Sequence, residues 1–206
     1  MAIIAIDQEA WRTCFLWLIV CFVIDSLDGT FARMAKVEEV LPNMDGKTID
    51  FVIDFASYAL IPAYFFYKAE MVTPQMMVPA MAIILLSSAL YYGKKGMVED
   101  DQYFIGFPVL WNFVVFYQYF IFHNDQTLNF ISVVFFGILH FVPLKFAYPS
   151  RTKRFFWSHL LFSLLGVGGA LYGLIEYPDY HPWTDVCAIV GAVYFSLFAI
   201  ADTFRK

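Results

Sequence analysis

The chain has 206 residues, of which 61% are hydrophobic and 15% charged, with a mean hydropathy of +0.64 and a formal net charge of −5. That balance excludes an ordinary soluble domain, whose charged share is about a quarter, and the small negative charge argues against a nucleic-acid partner. Cys14, Cys21 and Cys187 all lie inside apolar runs and read as buried small hydrophobes, neither a disulfide set nor a metal site.

The chain opens on MAIIAI, an apolar hexamer followed by polar DQE, with neither the basic n-region nor the small-residue cleavage site of a signal peptide. It reads as the last turns of a helix, so a further leading helix is expected ahead of it. Seven apolar segments follow, near 11–31, 48–67, 75–93, 103–122, 127–147, 155–176 and 184–203. Each approaches the roughly 20 residues that a helix needs to cross a hydrocarbon core. The expected fold is an all-α integral membrane protein with seven transmembrane helices in this chain, eight with the leading helix included. The connections, such as KAEMVTP, GKKGMVEDD and EYPDYHP, are short and polar. Pro62, Pro79, Pro108 and Pro143 lie within or at the starts of the segments, where membrane helices tolerate them. No repeat or linker interrupts the chain, which predicts one domain over residues 1–206.

Charge orients the bundle. Arg33, Lys36, Lys47, Lys94, Lys95, Lys145, Arg151, Lys153, Arg154, Arg205 and Lys206 fall on one side of the alternating segments, and only Arg12 and Lys68 on the other. Eleven against two is a positive-inside signal that puts the richer side in the cytoplasm.

That same side carries an unusual set of carboxylates, in DSLDGTFARMAKVEEVLPNMDGKTIDFVID from Asp25 to Asp54. Asp25, Asp28, Gly29 and Ala32 share one helix face, and Gly46, Asp50 and Asp54 share another, because residues three, four and seven apart are neighbours on a helix. The polar stretch 34–45 turns back through Leu41-Pro42-Asn43, so the two helices form an antiparallel pair that brings both faces together. Small residues keep those faces open to close approach. Each Asp costs about 2.5–3.5 kcal/mol at a helix centre, and mutual repulsion adds to this. Divalent cations remove both penalties, and all-oxygen ligation suits Mg²⁺ or Mn²⁺. Two such ions about 4 Å apart form the clamp used in phosphoryl chemistry. Lone rim charges or helix caps are the alternative reading of any single Asp; four at these spacings, with two Gly and an Arg, favour a site.

The pattern Asp25-x2-Asp28-Gly29-x2-Ala32-Arg33, then Gly46-x3-Asp50-x3-Asp54, resembles the signature of the CDP-alcohol phosphatidyltransferase family. Twelve residues separate Arg33 from Gly46, more than the family's usual spacing. This longer insert, together with YFIGFPVLWN at 103–112 and FVPLKFAYPSR at 141–151, is similar to the bacterial phosphatidylcholine synthase branch over nearly the whole chain. Members of the family begin with another membrane helix, in keeping with the leading helix expected above.

The resemblance implies condensation of CDP-diacylglycerol with choline, giving phosphatidylcholine and CMP, by a multi-pass protein of the bacterial inner membrane whose active site faces the cytoplasm. It makes Asp25, Asp28, Asp50 and Asp54 ligands of Mn²⁺ or Mg²⁺, two ions in all. Gly29, Ala32, Arg33 and Gly46 would line the CDP pocket, and Asp54 would also be the general base. The chemistry agrees: a hydroxyl nucleophile loses its proton as it attacks phosphorus, and a carboxylate within reach accepts it. A quaternary ammonium donates no hydrogen bond and is held by aromatic faces; Tyr58, Tyr64, Tyr103, Phe107, Trp111 and Tyr117 lie on segments that reach toward the site. Arg151, Lys153 and Arg154 suit a phosphate and suit membrane anchoring equally.

Two alternatives keep part of this reading. Another acceptor, such as serine, inositol or glycerol phosphate, keeps the enzyme and changes the substrate; anionic acceptors call for Arg or Lys deep in a crossing, and none is there. A cation transporter predicts ionisable residues spread through the bilayer, whereas these gather at one face. The expected partners are CDP-diacylglycerol, choline and membrane lipid, with no nucleic acid; a homodimer is left open.

Overall fold

The structure, a computed structural model, describes residues 1–99, 102–123, 125–149, 151–177, 179 and 181–205. Lys206, counted above among the basic residues, lies outside them. The apolar hexamer folds as α1 (Ala2–Asp7), with Ala2, Ala5 and Ile6 buried. The first long segment is α2 (Trp11–Met34), 24 residues without a break, which buries Cys14, Phe15 and Leu18. A four-residue helix, α3 (Val37–Val40), follows a left-handed Lys36 in the polar connection.

The next helix starts where Asp45 caps it. Its carboxylate accepts from the backbone N–H groups of Lys47 (3.1 Å) and Thr48 (3.3 Å), which otherwise lack partners in a first turn. From there α4 (Gly46–Phe55) runs through a π-helical turn (Ala56–Leu60) into α5 (Ile61–Lys68), so that Gly46–Lys68 is a single apolar span. α6 (Pro74–Tyr92) opens on a proline whose missing N–H costs nothing at that position. α7 (Trp111–Phe116) continues through a second π-helical turn (Tyr117–Ile121), and α8 (Gln126–Leu139) is capped by Asp125. α9 (Phe156–Glu176) and α10 (Pro182–Thr203) complete the chain. They pack through small residues: a Cβ on Gly191 would stand 3.0 Å from the Cα of Gly166, and one on Gly169 2.7 Å from the Cβ of Cys187. Close backbone approach of this kind is how apolar helices associate without a hydrophobic drive between them.

Among the described residues, five helices are long and apolar enough to cross a membrane: Trp11–Met34, Gly46–Lys68, Pro74–Tyr92, Phe156–Glu176 and Pro182–Thr203. Each of the seven expected segments holds a helix, but two are shorter than expected. Residues 103–110 and 140–147 are not helical. Instead β1 (Val98–Glu99), β2 (Tyr103–Ile105) and β3 (Lys145–Ala147) form an antiparallel sheet in that order, pairing Phe104 with Val98 on one side and with Phe146 on the other. The helices that remain, 111–121 and 126–139, are about 16 Å and 21 Å long at 1.5 Å per residue. The physical reason lies at Gly106, whose φ of +92° belongs to the left-handed region and whose Cβ would stand 2.0 Å from the carbonyl oxygen of His140. The chain turns there, at the end of β2, and a run of apolar residues too short to show a period gives no warning of it.

Contacts define two ends of the bundle. At one, Lys68 pairs with Asp7 (3.7 Å) and Arg12 donates to the carbonyl oxygens of Ile175 (2.5 Å) and Tyr177 (3.1 Å). At the other, the sheet meets the end of α10, where the backbone N–H of Lys145 donates to Thr203 Oγ1 (2.7 Å) and Arg154 pairs with Asp202 (3.3 Å). The carboxylates of α2 and α4 lie at this second end, beside Tyr148 in the loop that leaves β3.

Candidate active site

Asp25 on α2 and Asp50 and Asp54 on α4 each offer a carboxylate oxygen, and these oxygens all lie within 4.8 Å of one another. The four-residue spacing of Asp50 and Asp54 puts them on one face of α4, and the antiparallel return of the chain sets that face against Asp25. Tyr58, one turn beyond Asp54 and itself only 4% exposed, donates its hydroxyl to Asp25 Oδ2 at 2.7 Å. This bond fixes one oxygen of Asp25 and leaves the other to the cluster. Asp54 Oδ1 is buried, and no hydrogen-bond donor among the described residues reaches it. A buried carboxylate oxygen without a donor, facing two more carboxylates, is costly unless a cation completes it. The donor set is all oxygen, with neither His nor Cys in it, so these residues fit a hard divalent cation of the Mg²⁺ or Mn²⁺ kind.

Asp28 stands apart from this trio. It is exposed, one turn beyond Asp25, and acts on Asp50 and Asp54 through its charge. Among the described residues, nothing lies within 4 Å of a Cβ placed on Gly46, and a Cβ on Gly29 would meet only Arg33 Nη1 at 3.4 Å. Neither has a positive φ. Neither backbone conformation nor packing among the described residues therefore requires glycine at these positions. Arg33 is exposed and donates to Thr30 Oγ1 (3.2 Å), and Ala32 is exposed beside it.

Of the aromatic residues expected near the site, Tyr58 alone bonds to the trio. Tyr64 donates to Asp7 at the far end. Trp111 is fully buried and donates to Ser88 Oγ (2.9 Å), Tyr117 donates to the carbonyl of Ala188 (2.6 Å), and Phe107 stacks on His140. Tyr103 belongs to β2, with Lys145 Nζ 5.9 Å from its ring centroid. Asn112 Oδ1, buried within a crossing, accepts from the backbone N–H of Phe113 (3.0 Å).

Two other tyrosines are close enough for the charges of Asp25, Asp50 and Asp54 to act on them. Tyr92, at the end of α6, has its ring tilted on Phe51 of α4 (5.3 Å), and Tyr148 follows β3. Burial pushes the Tyr148 hydroxyl up from its ordinary value, the guanidinium of Arg151 opposes this, and the carboxylates reinforce it. Nothing local in the sequence marks these residues, because each reaches the site through long-range packing.

No family model matches the chain. It is similar to curated phosphatidylcholine synthases. One from Rhizobium meliloti (strain 1021) is 36% identical over 198 residues, spanning 94% of this chain and 80% of the relative. One from Legionella bozemanae is 31% identical over 198 residues, spanning 92% and 89%, and one from Mesorhizobium japonicum is 38% identical over 165 residues, spanning 80% and 61%.

The chain belongs to the phosphatidylcholine synthase family.

Membership of this family rests on nearly the whole length rather than on the carboxylate region alone, since the similarity to the Brucella melitensis relative spans 99% of the chain.

Proposed function

We propose that this chain is a phosphatidylcholine synthase of the bacterial inner membrane. It joins CDP-diacylglycerol to choline and releases CMP, with Asp25, Asp28, Asp50 and Asp54 holding two divalent cations on the cytoplasmic side. The observation that carries the reading is the convergence of Asp25, Asp50 and Asp54 around a buried oxygen of Asp54 that no donor among the described residues reaches, in a chain of this family. The basic residues gathered at the same end support its cytoplasmic placement. Seven crossings remain the reading of the whole chain, with 111–121 and 126–139 as the two short ones.

The residues divide the work. When bound, the cations neutralise the diphosphate and stabilise the leaving phosphate. Asp54 takes the proton of the choline hydroxyl as its oxygen attacks the phosphorus that bears diacylglycerol; the bond from that phosphorus to the bridging oxygen breaks, and CMP departs with the bridging oxygen. Tyr58 keeps Asp25 oriented. Gly29, Ala32 and Gly46 leave room for the nucleotide, with Arg33 beside it. Tyr92 and Phe51 supply aromatic faces next to the carboxylates, a setting that suits a quaternary ammonium.

The test is a headgroup screen with purified protein and CDP-diacylglycerol, reading CMP release with choline, serine, inositol or glycerol phosphate as acceptor. Release should require choline, vanish in EDTA and return with Mn²⁺ or Mg²⁺. Release with a different acceptor would replace the substrate assignment, and full release in chelator would remove the cations from it.

A further inference from the structure

The strand and loop after α8 carry four basic residues: Lys145, Arg151, Lys153 and Arg154. Two are neutralised within the fold, Lys145 by Glu99 (2.8 Å) and Arg154 by Asp202 (3.3 Å). Arg151 has no carboxylate within ion-pair distance among the described residues, yet it is not a loose surface side chain. Its guanidinium carbon lies 4.4 Å from the centroid of the Tyr148 ring. That ring in turn stacks on Phe104 of β2, with centroids 4.9 Å apart and planes 21° from parallel. The loop is tied down on both sides of Arg151: its N–H donates to the carbonyl of Tyr148 (3.0 Å), and the fully buried Thr152 donates its hydroxyl to the carbonyl of Gln102 (2.8 Å).

This stack stands near the carboxylates, close enough for charge to act between Arg151 and Asp50 and between Tyr148 and Asp25, Asp50 and Asp54. A guanidinium lying on an aromatic face keeps its in-plane N–H groups free, in the fork geometry that takes two oxygens of one phosphate. Membrane anchoring alone needs neither the stack nor a guanidinium without a carboxylate partner among the described residues.

We infer that Arg151, presented by the Phe104–Tyr148 stack, is a substrate-binding residue that receives the diphosphate of the nucleotide-activated lipid opposite the Asp25–Asp50–Asp54 cluster. This inference rests on the reading that the site takes CDP-diacylglycerol. It predicts a site with two walls, cation-binding carboxylates on α2 and α4 and a fixed guanidinium on the sheet, between which the diphosphate is held.

The test uses the full chain in neutral detergent with Mn²⁺, titrated calorimetrically with CDP, whose phosphates are the only ones present. Arg151→Gln should weaken CDP binding at least about tenfold, as expected for losing a charge-assisted bidentate contact. Manganese affinity, read by electron paramagnetic resonance, should stay equal or rise, since a cation beside the carboxylates has been removed. Arg151→Lys should recover part of the loss. Unchanged CDP binding by Arg151→Gln would overturn the inference while leaving the proposed function standing. A parallel loss of manganese binding or thermal stability would make Arg151 structural and overturn it equally. If the unsubstituted chain binds no CDP with Mn²⁺, the proposed function falls and this inference with it.

Discussion

Asp54 differs from its neighbours in having a buried oxygen that no donor among the described residues reaches, whereas Asp25 is held by Tyr58 and Asp28 is exposed. Asp54→Asn keeps an oxygen at the cluster but removes the proton acceptor, so nucleotide binding should persist while turnover falls by about 10²–10⁴-fold. Asp25→Asn removes charge from the trio and should weaken Mn²⁺ and CDP binding together. Calorimetric titration of both variants, beside a choline-incorporation assay, separates the roles. If Asp54→Asn loses nucleotide binding as completely as Asp25→Asn, Asp54 is foremost a ligand and the base lies elsewhere. Gly46 gives a cleaner probe of empty space. With no described residue within 4 Å of a new Cβ and a place in the first turn of α4, Gly46→Ala should leave the melting temperature unchanged or slightly higher. It should nonetheless reduce CDP affinity, because the methyl group occupies room that the free protein does not use. Unchanged affinity would remove Gly46 from the nucleotide pocket.

At the scale of elements, the helices were legible and the sheet was not. The α2–α4 pairing follows from residues three and four apart on each helix, a local rule that survives whatever packs outside it. The starts of α4 and α8 rest on Asp45 and Asp125, each accepting two backbone N–H bonds. Residues 103–105 and 145–147, about forty apart in sequence, pair only because Gly106 turns the chain under the carbonyl of His140. Gly106→Ala should therefore be among the most damaging single methyl additions in the chain. It meets both a left-handed φ and a backbone oxygen that cannot move aside, with an expected cost of about 1–3 kcal/mol or more. The loss should be read as a lower melting temperature together with weaker CDP binding, since the sheet carries Phe104 and, through it, Tyr148 and Arg151. A variant as stable and as tight as the parent would show that the sheet is not what sets that wall of the site.

At the scale of the whole molecule, the orientation is open to direct test. Lys47 and Lys94 belong to the carboxylate end and Lys68 to the opposite one, where it pairs with Asp7. Lys47→Cys and Lys94→Cys should be labelled by an impermeant thiol reagent in inside-out vesicles, and Lys68→Cys in right-side-out vesicles. Cys14 is buried and supplies little background, while Cys21 and Cys187, only partly buried, need replacing first. Labelling with the opposite sidedness would move the proposed site out of the cytoplasm.

The sequence by itself determined the solvent, the alternation of apolar segments and the carboxylates at their ends, because each is a matter of composition or of helical period within a few residues. It also carried the resemblance that the relatives bear out. Only the tertiary structure decided which carboxylates meet: Asp25, Asp50 and Asp54 converge, and Asp28, equally placed by its spacing, stays exposed. It likewise chose among the aromatic residues, bringing Tyr58, Tyr92 and Tyr148 to the site and turning Trp111 and Tyr117 to packing. The physical reason is that a helix period says which residues share a face, but not how far one helix is rotated or shifted against the next. That is settled by close-packed contacts between residues distant in sequence, such as Tyr58 with Asp25 and Phe104 with Tyr148.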